Sequence, residues 1–450
     1  MRVDWFNMRR FAEKYLNEWL RRKRRKVLVV RGARQVGKST MVRQFAIAAN
    51  RDLIEINLER HVILALKQEG VQLAEILQEI EIISKKKITD STLLFLDEIQ
   101  AQPKMLQVLR YIYEERPDLP TIAAGSLLDF AIEDEKIAMP VGRIEYLHLG
   151  PMCFSEFVEA TNDPVILAVL QNFSIENPVL AEGAMNRLTE MYRDYLYVGG
   201  MPEAVLSFIE SKDRENVRRV QENLLYTYQD DFHKYSKRLQ TDRVRKVFRY
   251  VPANCGLKLK FSNIDRDEKS RDLRVALDML IKAKVVLPVY HSNSSGLPLS
   301  AQADETVCKL YFIDVGLMNA AMGISWDTFV LSGRASGLSK GAMAEQFVAQ
   351  HLYHNTRTFS EPKLFYWLRD KSSAKAEVDF VIEMNGKIVP VEVKAEKPGR
   401  MKSLSMFVAE KKSNLAISLG LDLPKSIHRK AADSNYRLIS LPLFLVEKLF

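Results

Sequence analysis

Cysteine is scarce in this 450-residue sequence: Cys153, Cys255 and Cys308 are the only three, and they lie far apart in the chain. That spacing excludes a disulfide framework and any CxxC zinc site, and the three read as reduced, buried thiols of a cytoplasmic protein. Long apolar runs are also missing. None approaches the ~18 residues of a membrane-crossing helix, so no membrane partner is expected. The opening stretch MRVDWFNMRRF lacks the uninterrupted apolar core of a signal peptide. No low-complexity segment and no internal repeat stands out. General disorder is excluded by what is present: 47% of the residues are hydrophobic and 27% charged, enough for sizeable cores. At about 150 residues per domain, the length fits roughly three domains.

The charge balance is 66 Lys+Arg against 57 Asp+Glu, a net of +9. Cut where the composition shifts, the chain carries +4 over residues 1–150, −6 over 151–204, +4 over 205–330 and +7 over 331–450. A basic bias is compatible with a nucleic-acid partner without establishing one.

Residues 5–20 place Trp5, Phe11, Leu16, Trp19 and Leu20 near helical spacing. The helix runs into six consecutive basic residues at 21–26, which suit the negative end of a helix dipole. This run is either a solvated helix end or a phosphate-contacting patch. An apolar run, KVLVVRG, then leads through a Gly-rich turn into a helix over 39–49, and further strands are expected at 53–57, 93–96 and 121–124. Strands alternating with helices imply an α/β fold with a parallel sheet. The strand LLFLD is apolar throughout, as a sheet covered on both faces requires.

The segment GARQVGKST fits GxxxxGK[ST] at Gly32, Gly37, Lys38 and Ser39, with a strand before it and a helix after it. In such a loop the backbone N–H groups of Gly32, Ala33, Arg34, Gln35, Val36, Gly37, Lys38, Ser39 and Thr40 close round phosphates, aided by the helix dipole. Lys38 would reach the β- and γ-phosphates of ATP and the Ser39 hydroxyl would ligate Mg²⁺. LLFLDE supplies the second metal partner, Asp97, acting through the ion's water shell, and Glu98 to orient or deprotonate the attacking water. Ser126, following the strand at 121–124, is either a polar sensor of the γ-phosphate or part of an ordinary turn with Gly125.

GARQVGKS, LLFLDEIQ, TIAAGSLL, VGRIEYLHLGPMCFSEF and YVGGMPEAV together resemble a family of prokaryotic AAA-like P-loop ATPases of the STAND type, over residues 30–205. The resemblance implies that Arg143 lies near the phosphates, as a finger, a sensor or an ion-pair partner. It also implies that the turn at Gly200 and Pro202 belongs to a helical lid, which makes the acidic segment 151–204 that lid. Its negative charge argues against nucleic-acid contact there.

Between 205 and 330 the pattern is helix, helix, helix, strand, loop, strand. A helix is expected around 244–251, FSNID opens another, and SRDLRVALDMLIKAKVV places Leu273, Leu277, Leu280 and Ile281 on one face with Arg271, Arg274 and Lys282 off it. VVLPVY and CKLYFID then bracket a polar loop. This is the order of a winged helix, with residues 270–282 as the candidate recognition helix. Such a module contacts DNA or couples protein domains. Asp272 and Asp278 interrupt its basic face.

AEVDFVIEMNGKIVPVEVKAE reads as two strands joined by Asn385-Gly386. A two-residue turn sets Asp379 opposite Glu392 and Glu377 opposite Lys394, all on one face, unless Pro390 introduces a bulge. Opposed carboxylates repel unless a cation lies between them, which makes Asp379 and Glu392 candidate ligands of Mg²⁺ or Mn²⁺. Lys394 would stabilise charge developing on a phosphodiester or position a water. The pattern resembles the PD-(D/E)XK restriction-endonuclease-like fold, with Glu345 of GAMAEQFVAQHLY matching that fold's extra carboxylate and Val378 standing where its proline is common. Residues 365–368 would be its first strand, 401–411 a helix and 415–419 a further strand.

The expected organisation is therefore a P-loop core over 1–150, a helical lid over 151–204, a winged-helix segment over 205–330 and a nuclease-like α/β domain over 331–450. The expected function is an ATP-binding, Mg²⁺-dependent NTPase, with DNA met through the C-terminal half or with a protein partner. The alternatives are a nucleotide-switched DNA- or protein-binding regulator with an inert nuclease fold, and an ATP-dependent nuclease.

Overall fold

The computed structural model describes residues 8–67, 70, 72–126, 128, 130, 140–235, 238–332, 340–355, 359–371, 374–395 and 401–450. It divides into two compact units. The first comprises Met1–Pro151 with Lys282–Lys284 and Arg357–Glu361; the second comprises Met152–Ile281, Val285–Thr356 and Pro362–Phe450.

In the first unit, β1 (Val27–Arg31), β2 (Asp52–Asn57), β3 (Thr92–Asp97), β4 (Thr121–Gly125) and β5 (Ile144–His148) form a sheet in the order β2-β3-β4-β1-β5, parallel throughout. Every residue of β3 is buried, which is why that strand carries no polar alternation. Leu94, Leu96, Ile54 and Ile56 pack on one sheet face with Ile76 and Ile80 of the helix Leu73–Ser84 and Leu106 and Leu109 of the helix Met105–Glu115. Each such side chain contributes about 1.5–3 kcal/mol on leaving water. This order sets the carboxyl ends of β1, β3 and β4 side by side, where ligands of parallel sheets bind.

The N-terminal helix spans Ala12–Leu20 and buries Leu16 and Trp19; Trp5 lies outside the described residues. Part of the basic run is committed to structure. Arg22 pairs with Glu145 at 2.8 Å, Arg25 donates to the carbonyls of Leu20 and Asp118, and the Lys26 carbonyl accepts from Trp19 Nε1.

The second unit holds a mixed eight-stranded sheet made of β6 (Val286–Ser292), β7 (Ala303–Phe312), β8 (Leu364–Lys371), β9 (Ala374–Met384), β10 (Lys387–Val393), β11 (Leu415–Gly420), β12 (Lys425–Ala431) and β13 (Ser434–Pro442). Its order is β12-β13-β11-β10-β9-β8-β6-β7. The helices Arg238–Ala253 and Ser270–Lys282 precede the β6–β7 hairpin as expected, but FSNID opens no helix: FSN forms a single 3₁₀ turn, Phe261–Asn263, and another helix, Arg214–Tyr235, comes earlier in the chain. The hairpin does not stand apart. β6 pairs in parallel with β8, so one sheet runs across the expected boundary at 330. Ser270–Lys282 buries Leu273, Leu277 and Leu280, and its Asp272 is held by Arg243 at 2.9 Å.

The segment expected as a lid is helical at Phe154–Ala160, Pro164–Asn172 and Glu182–Val198. It belongs, however, to the second unit, because its aromatic face is buried there. Phe154, Tyr192 and Tyr195 make edge-on ring contacts with Phe347 of the helix Lys340–Asn355. The Gly-Gly turn that follows is fixed by Asp314. Its Oδ2 accepts from Gly200 N–H at 2.6 Å and its Oδ1 from Leu317 N–H at 2.9 Å, while Gln350 Nε2 donates to Oδ2 at 3.3 Å. A Cβ at Gly199, where φ is +76°, would stand 2.1 Å from Asp314 Oδ1. Burial pushes the Asp314 carboxyl up to about 6 against these donors. Among the described residues no helix is long and apolar enough to cross a membrane.

Asp314→Ala strands two buried backbone N–H groups and should cost about 3 kcal/mol or more. The midpoint of urea unfolding reports it, and Asp314→Asn, which keeps an accepting oxygen, should lose less.

Candidate functional site

The loop after β1 is shaped by steric exclusion. A Cβ on Gly32 would lie 2.1 Å from the Leu149 carbonyl oxygen, so only glycine lets the loop pass. Gly37, at φ +90°, caps the helix Lys38–Ala48. Lys38 is 8% exposed, and its Nζ donates to the carbonyls of Gly32 at 3.1 Å and Ala33 at 2.7 Å. Burial lowers this ammonium to about 8, with Glu98 and Asp97 opposing the shift and Arg34 adding to it. Ser39 Oγ donates to Asp97 Oδ2 at 2.7 Å. Burial raises the Asp97 carboxyl and the Ser39 bond pulls it back. A hydroxyl touching a buried carboxylate is a hard-oxygen donor pair that fits Mg²⁺.

Glu98 sits at φ +53°, and its Oε2 accepts from Gln100 Nε2 at 2.5 Å. Ser126 follows the end of β4 with its Oγ buried and, among the described residues, without a hydrogen-bond partner. The P-loop, Asp97, Glu98 and Ser126 thus meet at the carboxyl ends of β1, β3 and β4.

Arg143 does not join them. Its carbonyl accepts from Val27 N–H at the start of β1, whereas the P-loop follows the far end of that five-residue strand, about 16 Å away. Its Nε bonds Glu114 Oε1 at 3.0 Å. The expectation that Arg143 lies near the phosphates of its own chain's loop is corrected, because it stands at the amino end of a parallel sheet whose carboxyl end holds the site.

Two residues at this site were not marked by the sequence. Arg10, buried, donates from Nη1 to the Val36 carbonyl at 2.7 Å and from Nη2 to the Gly150 carbonyl at 2.8 Å, bracing the loop. Gln100 fixes the Glu98 carboxylate, and its Oε1 would meet a Cβ on Gly125 at 2.5 Å. The Q of LLFLDEIQ was the one available signal.

The C-terminal hairpin turns at Asn385 (φ +51°) and Gly386 (φ +71°). The register is the expected one from Lys387 opposite Met384 to Val391 opposite Phe380, and Pro390 pairs with Val381 without a bulge. Beyond Val391 the ladder ends. Asp379 Oδ2 accepts from Val393 N–H at 2.8 Å, β10 continues against β11, and β9 continues against β8. Glu377 therefore does not face Lys394 as expected. It pairs with Lys309 of β7, and Lys394 Nζ instead bonds Glu392 Oε1 at 2.6 Å.

Glu392 is 7% exposed, and its Oε2 is buried without a hydrogen-bond partner among the described residues. Burial and the charge of Asp379 push Glu392 up to about 7. Burial and Asp379 do the same to Glu345, also about 7, whose Oε2 accepts from Tyr311 Oη at 3.0 Å. Lys309, 2% exposed, is pulled down by burial but held above its ordinary range by Glu345, Glu377 and Asp379. The structure thus brings Glu345, Asp379, Glu392 and Lys394 together and adds Lys309, which no local motif marks.

With all groups ionised, four carboxylates face two lysines. The orphaned Glu392 oxygen and this residual negative charge fit a divalent cation. Among the described residues no three His, Cys, Asp or Glu side chains converge on one ion position. Asp379 and Glu392 alone would therefore hold it, with water completing the shell as Mg²⁺ tolerates. The three cysteines are buried, and none of them is in a disulfide.

Residues 24–158 match the model of a family described as an AAA domain. This part of the chain is thus similar to AAA domains. Residues 189–328 match a domain of unknown function (DUF8612), and residues 340–444 another (DUF4143). No curated protein matches the chain. Two solved structures overlap with it loosely. One is the Orc1 protein of Aeropyrum pernix in complex with DNA, at 13% identity and a TM-score of 0.29, covering 71% of this chain and 91% of that one. The other is RuvB of Thermotoga maritima, a Holliday junction branch migration motor, at 15% identity and a TM-score of 0.29, covering 61% and 87%.

The lowered Lys38 has a pH consequence for the AAA-type domain. Bound phosphates need the ammonium form, so above about pH 8 nucleotide binding must take up a proton. Affinity for a fluorescent ATP analogue should fall about tenfold from pH 7 to pH 9. A flat profile would contradict the buried, lowered lysine.

Proposed function

We propose that this protein is an ATP-binding, Mg²⁺-dependent NTPase whose nucleotide cycle controls a nuclease-like centre acting on nucleic acid. One observation carries the first half: Lys38, Ser39, Asp97 and Glu98 are assembled on adjacent strand ends, with the buried, unpartnered hydroxyl of Ser126 beside them. Lys38 binds the β- and γ-phosphates, Ser39 and Asp97 hold Mg²⁺, which neutralises phosphate charge, and Glu98 orients the attacking water. Ser126 reads the γ-phosphate, and Gln100 sets the carboxylate of Glu98. ATP turnover measured on Glu98→Gln should fall 100-fold or more with binding retained. Lys38→Ala should lose binding, and normal turnover in that variant would refute the assignment.

The second half rests on the Asp379, Glu392 and Lys394 cluster with its orphaned oxygen. There Asp379 and Glu392 hold the cation, Lys394 steadies charge on the scissile phosphodiester, and Glu345 tunes the pair. The three helices before the β6–β7 hairpin act as a winged-helix coupling element. A second reading, a nucleotide-switched regulator with an inert nuclease fold, is favoured by Lys309, which already neutralises part of the cluster. DNA cleavage in Mn²⁺ separates the two. Cleavage that disappears in Asp379→Ala and Lys394→Ala supports the active centre, and its absence in the wild-type chain supports the inert fold.

A further inference from the structure

One row of side chains crosses four strands of the second unit's sheet. Glu392 of β10 is in register with Ser418 of β11, Ser418 with Ser440 of β13, and Ser440 with Lys425 of β12. Residues in register point to the same sheet face. The row therefore runs from the carboxylate centre to a lysine about 14 Å away, at roughly 4.8 Å per strand. Lys394, two residues beyond Glu392, and Arg429, four beyond Lys425, project from that face as well.

Between them lies a cavity of about 70 Å³ with a largely apolar wall, whose polar lining is Lys394, Ser418, Asp422, Lys425, Arg429 and Ser440. It opens to solvent and has room for a tetrahedral oxyanion. Two features mark it as a ligand site rather than a charged surface. Ser418 is 5% exposed and lines the cavity, yet among the described residues its hydroxyl has no hydrogen-bond partner. Lys425 and Arg429 have no ion-pair partner among the described residues either. Asp422 is the one carboxylate on the lining, which leaves the site cationic.

The geometry points to this cavity as a phosphate subsite for the backbone of a nucleic-acid strand, gripping one phosphate within about two nucleotides of the Asp379 and Glu392 centre. Lys425 and Arg429 neutralise the phosphate charge, and the Ser418 and Ser440 hydroxyls donate to its oxygens. The inference deepens the nucleic-acid half of the proposed function by naming what positions the strand, and it requires binding only, not cleavage.

The test is fluorescence anisotropy of a labelled 20-nucleotide DNA strand and of its duplex. The full chain is used in EDTA, so that nothing is cut, over a series of salt concentrations. The double variant Lys425→Ala/Arg429→Ala should bind tenfold or more weaker, with the salt slope reduced by about 2. Thermal unfolding and circular dichroism of the variant should match wild type. An unchanged affinity and slope in a folded double variant overturns the subsite, as does a wild-type chain that binds neither probe. Displacement of DNA by millimolar inorganic phosphate, but not by chloride at equal ionic strength, would assign the cavity to a small free anion and also overturns the proposal. Cleavage in Mn²⁺ is scored separately. Weakened binding without wild-type cleavage leaves the subsite standing and the nuclease reading refuted, and cleavage with unweakened variant binding does the reverse.

Discussion

A charge taken out of water costs several kcal/mol unless the fold supplies its partner, and this chain meets that constraint repeatedly where its chemistry lies. The ammonium of Lys38 is compensated by two loop carbonyls, Asp97 by a serine hydroxyl, and Asp314 by two backbone N–H groups and an amide. Lys309 is compensated by Glu377, with Glu345 and Asp379 close enough to hold its proton. For Lys38 the partners are local, but Ser39 on Asp97, Gly200 and Gln350 on Asp314, and Glu377 on Lys309 come from distant parts of the chain, so those buried charges also tie segments together. The C-terminal centre draws on β7, a helix, β9 and β10.

The two lysines nearest the proposed reacting groups differ in a way that matters chemically. Lys38 is held by neutral carbonyls, partners a phosphate outcompetes, so the loop can give up its internal bonds to a nucleotide. Lys309 is held by carboxylates, whose attraction no neutral ligand matches. The first site is therefore built to exchange partners. In the second, the exchangeable cation is Lys394, the more exposed of the two, bonded to a carboxylate that keeps one oxygen free.

Much of the fold was legible because its determinants are local. The P-loop and its flanking strand and helix, the apolar β3 ending in Asp97 and Glu98, and the hairpin turning at Asn385-Gly386 are each set by residues within a dozen positions. Register followed from the turn, but only as far as Val391. Past it β10 answers to β11, and no feature of the hairpin could announce that third strand. The same limit hid Arg10 and Lys309, whose partners lie far along the chain. It also hid the merger of the β6–β7 hairpin with the C-terminal sheet. The grouping of the segment 151–204 with the second unit was hidden for a related reason: its negative charge was visible in composition, but its aromatic face meets Phe347, some 150 residues on. Arg143 shows that a motif's proximity in sequence does not say which end of a strand it occupies.

The parallel pairing of β6 with β8 also bears on how the chain can be divided. Val289, Tyr290 and His291 pair with Leu364, Phe365 and Tyr366, so a truncation placed between the matched segments, after 328 or before 340, strips the partner from β8. An apolar strand with a bare edge recruits another chain, and the fragment would self-associate rather than fold alone. The sheet, rather than the matched ranges, marks what must travel together.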